Sequence, residues 1–229
     1  VASSVAGVQF RAGATLRRKA LVPDSPTMPQ IQWLRADRVD ERRAYPAEGI
    51  ESMNVIPYQP KDIDEPRELV AAIRARRGGA LLNLDRMLLH SPPLAAGWNG
   101  FLRAVRSELS VSPKLRELAI CVVAVLNHAE YEYRQHAPEF LKSGGSAAQL
   151  DALGRAGMSA IDARAFDAAE GAVIALALEM TRAVEVSAAT MASVRRALAN
   201  DRNVVEIVGV IATYNMVSRF LVALGVEPE

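Results

Sequence analysis

From Glu65 to the end of the chain, apolar residues return every three or four positions, the period of a helix face rather than of a strand. Leu69, Val70 and Ile73 form a stripe that stops at Gly78-Gly79, a pair suited to the left-handed turn after a helix. Leu82, Met87 and Leu88 mark a short helix within Leu81 to His90, ended by Ser91-Pro92-Pro93. Trp98, Phe101, Leu102 and Val105 mark another over residues 94–109. Ser112-Pro113 is a start signal: Ser112 is placed to cap, and proline, which lacks an N–H, suits the first helical position. The helix that follows, 113 to about 126, is apolar at Leu115, Leu118, Ala119, Val122, Val123 and Leu126. Asn127-His128 interrupts the run and predicts a bend.

A new amphipathic helix is expected from about 129 to 142, stopping at Gly144-Gly145. Ser146 would cap a short helix to Arg155, Asp162 a long one through Arg182, and Ser187 one to about Ala199. The last, from about Asn203 to Leu224, is the most apolar and ends at Gly225. It is rich in β-branched residues, but its helical period holds over about 20 positions, too long for a strand. Eight or nine helices and no convincing strand make the chain all-α.

The first part of the chain reads differently. Residues 29–66 carry Pro46, Pro57, Pro60 and Pro66 with weak periodicity, which predicts an irregular arm around the domain or a neighbouring subunit. Residues 1–27 hold Arg11, Arg17, Arg18 and Lys19 against Asp24 without the apolar stretch of a secretory signal. They are expected to be a variable, targeting or vector-derived segment ahead of a start near Met28. The divisions are therefore 1–27, an extended arm over 28–65, and a helical domain over 66–229.

Composition narrows the function. Half the residues are hydrophobic and only 5% aromatic, which favours helices packed through small side chains. A formal net charge of +1 without a basic stripe argues against nucleic acid as a partner. No apolar run approaches the roughly 20 residues that span a bilayer, so no membrane partner is expected. A single cysteine, Cys121, cannot form an internal disulfide, and a reducing, cytoplasmic setting is the expectation.

The unusual segment is Asn127 to His136, which contains two of the three histidines. His128, Glu132 and His136 are spaced i, i+4, i+8, within an arc of roughly 80° on an unbroken helix. They do not read as a metal site. The outer two would lie about 12 Å apart along the axis, and zinc needs every ligand atom about 2.0–2.2 Å away. Glu132 and His136, one turn apart, read instead as a carboxylate–imidazole pair, in which the carboxylate raises the histidine pKa and fixes its tautomer. Tyr133, about 60° round the helix from His136, is expected to line a pocket, and Tyr131 to pack. His128 is either beside the site or merely at a helix end. His90 reads as a helix-end residue, and Tyr214, Asn215 and Arg219 as interhelix or subunit contacts. The glycine pairs are helix stops, not phosphate loops, and no GxSxG supports serine catalysis.

Arg116-Glu117-Leu118-Ala119-Ile120, followed by Tyr131-Glu132-Tyr133, His136 and Gly144, resembles the core of carboxymuconolactone decarboxylase and AhpD-like (alkylhydroperoxidase D-like) proteins. Leu82 to Met87 with His90-Ser91-Pro92, and Tyr214 to Leu221 with Leu224-Gly225-Val226, are similar to its flanking helices, so the resemblance spans roughly 66–226. It implies an AhpD-like domain of about six core helices and a homo-oligomer, as dimer, trimer or hexamer. In the thiol-peroxidase branch a glutamate stands nineteen positions before the histidine, which is Glu117 before His136, and a Cys-x-x-Cys pair falls on Ala129 and Glu132. Both thiols are missing, and Cys121, inside an apolar helix, reads as a buried small hydrophobe.

Without a thiolate and a resolving thiol, that peroxide chemistry lacks its nucleophile. The decarboxylase branch implies acid/base chemistry with no metal or organic cofactor, on a small acidic or lactone substrate. The expectation is that His136 donates the proton, Glu132 orients it and Glu117 shares the network, with Tyr133 and His128 toward the substrate. An acidic substrate also needs a cation, for which Arg116 and Arg134 are near in sequence. Alternatives are a peroxidase-like oxidoreductase with other thiols, and a non-catalytic oligomeric scaffold.

Overall fold

The computed structural model describes residues 56–155 and 163–229. The expectations for segment 1–27, for most of the arm and for an Asp162 cap fall outside them. The described chain is all-α, with no strand among the described residues: α1 (Arg67–Arg77), α2 (Asn83–Leu88), α3 (Pro92–Ser107), α4 (Pro113–Leu126), α5 (Glu130–Lys142), α6 (Ala147–Arg155), a 3-10 turn (Ala163–Ala165), α7 (Ala168–Arg182), α8 (Ala188–Ala197) and α9 (Asp201–Ala223).

α4 is the central element and packs against α5, α7 and α9. Eight consecutive residues, Glu117 to Ala124, are buried on all sides of it. A helix apolar all round has no solvent face to offer, so it belongs at the centre of the core. α9 is its main long partner and contributes Ile207, Val210, Ile211, Tyr214, Val217 and Leu221 to the interior. By length and composition α9 would be long and apolar enough to cross a membrane, which the sequence reading had not credited to it. Half of its most apolar window is buried inside the fold, which accounts for its hydropathy as a core helix.

The joint between α4 and α5 decides where the site residues go. The break predicted at Asn127-His128 is present: His128 takes a positive φ of 54°, and the Ala129 N–H reaches back to the Ala124 carbonyl at 2.9 Å. Asn127 Nδ2 donates to Asn215 Oδ1 on α9 at 3.1 Å, which pins the bend to the core. At the far end of α5, the Gly145 N–H closes onto the Phe140 carbonyl, and its missing side chain leaves room for the buried Phe140 ring.

Two starts differ from the sequence reading. Pro92 opens α3 as well as ending α2, because a proline at the first helical position sacrifices no hydrogen bond. The cap of α7 is Asp167, which accepts from the Glu170 N–H while Glu170 returns a bond to the Asp167 N–H. Glu170 is buried, with Lys114 Nζ at 2.6 Å and Gln149 Nε2 at 2.9 Å, and so ties the starts of α4, α6 and α7 together. Ahead of α1, the Pro57 carbonyl accepts from His90 Nε2 at 2.7 Å, and the Arg86 guanidinium lies 5.0 Å above the Tyr58 ring. His90 therefore serves this contact at the end of α2.

Candidate active site

His136 lies on the inner face of α5 and is buried. Its Nδ1 is 2.7 Å from Glu117 Oε2 on α4. A carboxylate only accepts, so Nδ1 carries the ring proton and donates it, leaving Nε2 as the nitrogen open to a bound molecule. Arg116 Nε donates to the other oxygen of Glu117 at 3.1 Å. The order is therefore guanidinium, carboxylate, imidazole. Burial pushes the Glu117 carboxyl up, but the His136 hydrogen bond and charge, with Arg116, outweigh it and hold it below the ordinary carboxylate value. Burial also pushes His136 below the ordinary imidazole value, with Glu117 opposing. Both directions point to one state, a carboxylate beside a neutral imidazole.

The partner of His136 is thus Glu117, not Glu132, and burial reverses the expected rise of its pKa. Residues one turn apart are neighbours on a helix surface, but the Glu132 carboxyl turns toward α9, where Ser218 Oγ–H lies 3.0 Å and 3.1 Å from its two oxygens. Glu132 is 1% exposed, and burial without a cation raises its pKa well above the usual carboxylate range against the Ser218 bond. Burial thus favours its protonated form, where the sequence suggested an orienting carboxylate.

Glu132 and His136 line a pocket of about 30 Å³, together with Tyr131, Gln135 and Tyr214. Its apolar wall includes Leu84, Trp98, Leu102 and Leu221. Its other wall carries Arg76, Arg77 and Arg106. Buried Asp85 accepts from Arg77 Nη2 at 3.2 Å and from Arg76 Nη2 at 3.3 Å, and Arg76 Nε also donates to Asn99 Oδ1. Arg106 has no hydrogen bond or ion pair among the described residues and is half-buried. Three guanidinium groups against one carboxylate leave this wall positive. Burial, then Arg77, lowers the Arg76 pKa, with Arg106 adding to it and Asp85 opposing, a sign of crowded cations.

The remaining expected site residues lie elsewhere. His128 is exposed in the bend, off the α5 axis, so the i, i+4, i+8 face does not exist. Tyr133 points toward α6, its hydroxyl 3.5 Å from the Leu150 carbonyl. The pocket opens on the Tyr131–Gln135 side of His136, the opposite flank, so Tyr131 lines it where packing alone was expected. Tyr131 and Gln135 also bond to the Glu229 carboxylate, at 3.2 Å and 2.8 Å. Arg116 is engaged by Glu117, and Arg134 pairs with exposed Glu130. Cys121 is fully buried, and burial followed by the nearby Glu117 and Glu132 raises its thiol pKa.

Arg76, Arg77, Arg106, Tyr214 and Ser218 are the site residues that sequence reasoning missed. One signal was available. Arg74, Arg76 and Arg77 crowd the last turn of α1 with no acid beside them in that helix, and Asp85 follows only eight positions later. Tyr214 gave no such signal, since a tyrosine on an apolar helix is ordinarily core.

Residues 92–176 match the model of the carboxymuconolactone decarboxylase family. That stretch runs from the start of α3 into α7 and holds Arg106, Glu117, Glu132 and His136, whereas Arg76, Arg77, Asp85, Tyr214 and Ser218 lie outside it. No curated protein matches the chain. Among solved structures, an uncharacterized peroxidase-related protein from Silicibacter sp. TM1040 superposes with a TM-score of 0.61 at 20% identity, over 79% of this chain and 91% of that one. The alkylhydroperoxidase AhpD core of an uncharacterized peroxidase-related protein from Ralstonia eutropha JMP134 does so with a TM-score of 0.61 at 17% identity, over 73% and 86%. At such identities the likeness is one of fold, and the fold is AhpD-like.

Proposed function

We propose that this chain is an acid/base enzyme that resembles carboxymuconolactone decarboxylases and acts on a small acid or lactone acid. The observation that carries the reading is the 2.7 Å Glu117–His136 hydrogen bond behind an arginine-walled pocket. Glu117 holds His136 in the tautomer with Nε2 unprotonated and steadies the imidazolium that forms when Nε2 accepts a proton. Glu132, which keeps its proton by burial, is the donor on the same wall. In a decarboxylation, the carbon–carbon bond to the carboxylate breaks, carbon dioxide leaves, and the electron pair passes through the adjacent unsaturated system. Glu132 delivers a proton to the carbanionic carbon, and His136 Nε2, which takes up a proton from solvent, returns one to Glu132. The positive wall stabilises the charge that develops.

The peroxidase-like reading has weaker support. The only cysteine in the sequence is a fully buried, protonated thiol, and the positions of the thiol pair hold Ala129 and Glu132. The test is release of carbon dioxide from a panel of small lactone acids and keto acids by the wild type and His136→Ala. The reading expects at least one substrate to be turned over and the variant to lose about 100-fold or more. Equal rates from both proteins would remove His136 from the chemistry.

A further inference from the structure

We infer that Arg106 on α3 and the Tyr214 hydroxyl on α9 form a carboxylate-binding subsite beside His136. The inference rests on the proposed reading of this pocket as a substrate site and names the groups that hold the acid.

Two independent features point to the same ligand. Tyr214 is 2% exposed, lines the pocket, and its hydroxyl has no hydrogen-bond partner among the described residues. Buried hydroxyls ordinarily find a partner, so one without it, on a residue that lines a cavity, is a donor kept for something that binds there. Arg106 lines the same pocket and, unlike its neighbours, is not bound internally. Asp85 bonds to both Arg76 and Arg77, and Asn99 also accepts from Arg76. Arg106 bonds to none of the described residues. A guanidinium fork and a phenol O–H supply donors for the two oxygens of a planar carboxylate.

The surroundings fit that class. The Tyr214 ring meets the His136 ring edge-on, with centroids 4.9 Å apart, so an acid held by Tyr214 lies next to the proton-transfer group. The cavity, about 30 Å³, is larger than one water requires, about 10–15 Å³. The three arginines against Asp85 make its field favour an anion, and Trp98 and Leu102 give the carbon skeleton an apolar face. The Asp85-bound pair, Arg76 and Arg77, are positioning residues that keep the wall positive.

The test is equilibrium binding, read by Trp98 fluorescence in a Trp33→Phe background and by calorimetry. The probes are glutarate, the γ-lactone of 2-hydroxyglutarate, neutral γ-butyrolactone and inorganic phosphate. The two carboxylates are expected to saturate in the millimolar range or below, and γ-butyrolactone not to bind. Arg106→Gln should weaken the acids about 10-fold or more, with Arg106→Lys recovering part of the loss. Tyr214→Phe should weaken them about 3- to 10-fold without lowering the melting temperature, because the lost hydroxyl has no partner among the described residues. Turnover of the same acids is read separately, by carbon dioxide release. That arm separates this subsite from the reaction: binding that follows this pattern without turnover would leave the subsite standing and sink the proposed chemistry. The subsite is overturned if neither acid binds, if phosphate binds more tightly than both, or if Arg106→Gln and Tyr214→Phe bind as the wild type does.

Discussion

Glu117 Oε2 and His136 Nδ1, nineteen positions apart in sequence, meet at 2.7 Å across the interface of α4 and α5. The bond fixes which nitrogen of His136 faces the pocket. Glu117→Gln keeps the shape of the side chain but can donate as well as accept, so the tautomer is no longer imposed. The expected result is a fall in kcat of about 10²–10⁴ with KM changed by less than about threefold. Steady-state kinetics on the substrate found by the carbon dioxide assay checks it. A change confined to KM would mean that Glu117 serves binding.

Glu132 and His136 give stability opposite dependences on pH. The Glu132 pKa is raised above 4.5 in the folded protein, so its contribution is fully present below that value and is lost as pH rises through the folded pKa. The His136 pKa is lowered below 6.5, so its contribution is present above 6.5 and is lost as pH falls through the folded value. Glu132→Gln, which retains a partner for Ser218, should abolish the loss on the alkaline side and leave the loss on the acid side in place. Urea unfolding across a pH series measures both limbs. Parallel curves for wild type and variant would mean that Glu132 is not the buried acid.

Cys121 sits within α4 with no exposed surface. Cys121→Ala is expected to keep turnover within about twofold and to cost on the order of 1 kcal/mol of stability. Wild type and variant should both show only background thiol-dependent peroxide reduction. Robust peroxide turnover that disappears in Cys121→Ala would restore the oxidoreductase reading.

Gly145 tests the packing that carries α5. A Cβ at this position would collide with the Phe140 ring, which is fully buried. Gly145→Ala should therefore destabilise the protein by about 1–3 kcal/mol in urea unfolding. An unchanged midpoint would mean that the ring can shift without cost.

How much of this was legible in the sequence follows from what each feature depends on. α4 matches the expected 113–126, because Ser112-Pro113 opens it and Asn127-His128 closes it, and both signals are local. The bend was legible for the same reason, but its effect on His128 was not followed through. Once the axis turns, a position eight residues before His136 no longer shares its face. His136 stood out in the sequence as half of a carboxylate–imidazole pair and Glu117 came from a resemblance to known proteins, but their meeting depends on α4 packing against α5, which no spacing rule within one helix supplies. The arginine wall was the least legible part. It joins the end of α1 to the middle of α3, and the asymmetry that singles out Arg106, a cation left over after Asp85 has taken two others, exists only in three dimensions. Tyr214 was read as a contact between helices, which its burial fits, and only the missing partner of its hydroxyl distinguishes it.

The state of His136 is the central claim, and nitrogen NMR of the histidine-labelled protein reads it without any substrate. At pH 7 one buried histidine is expected with Nδ1 protonated and Nε2 bare, and that single tautomer is expected to be lost in Glu117→Gln. An imidazolium, or a neutral ring protonated at Nε2, would contradict it.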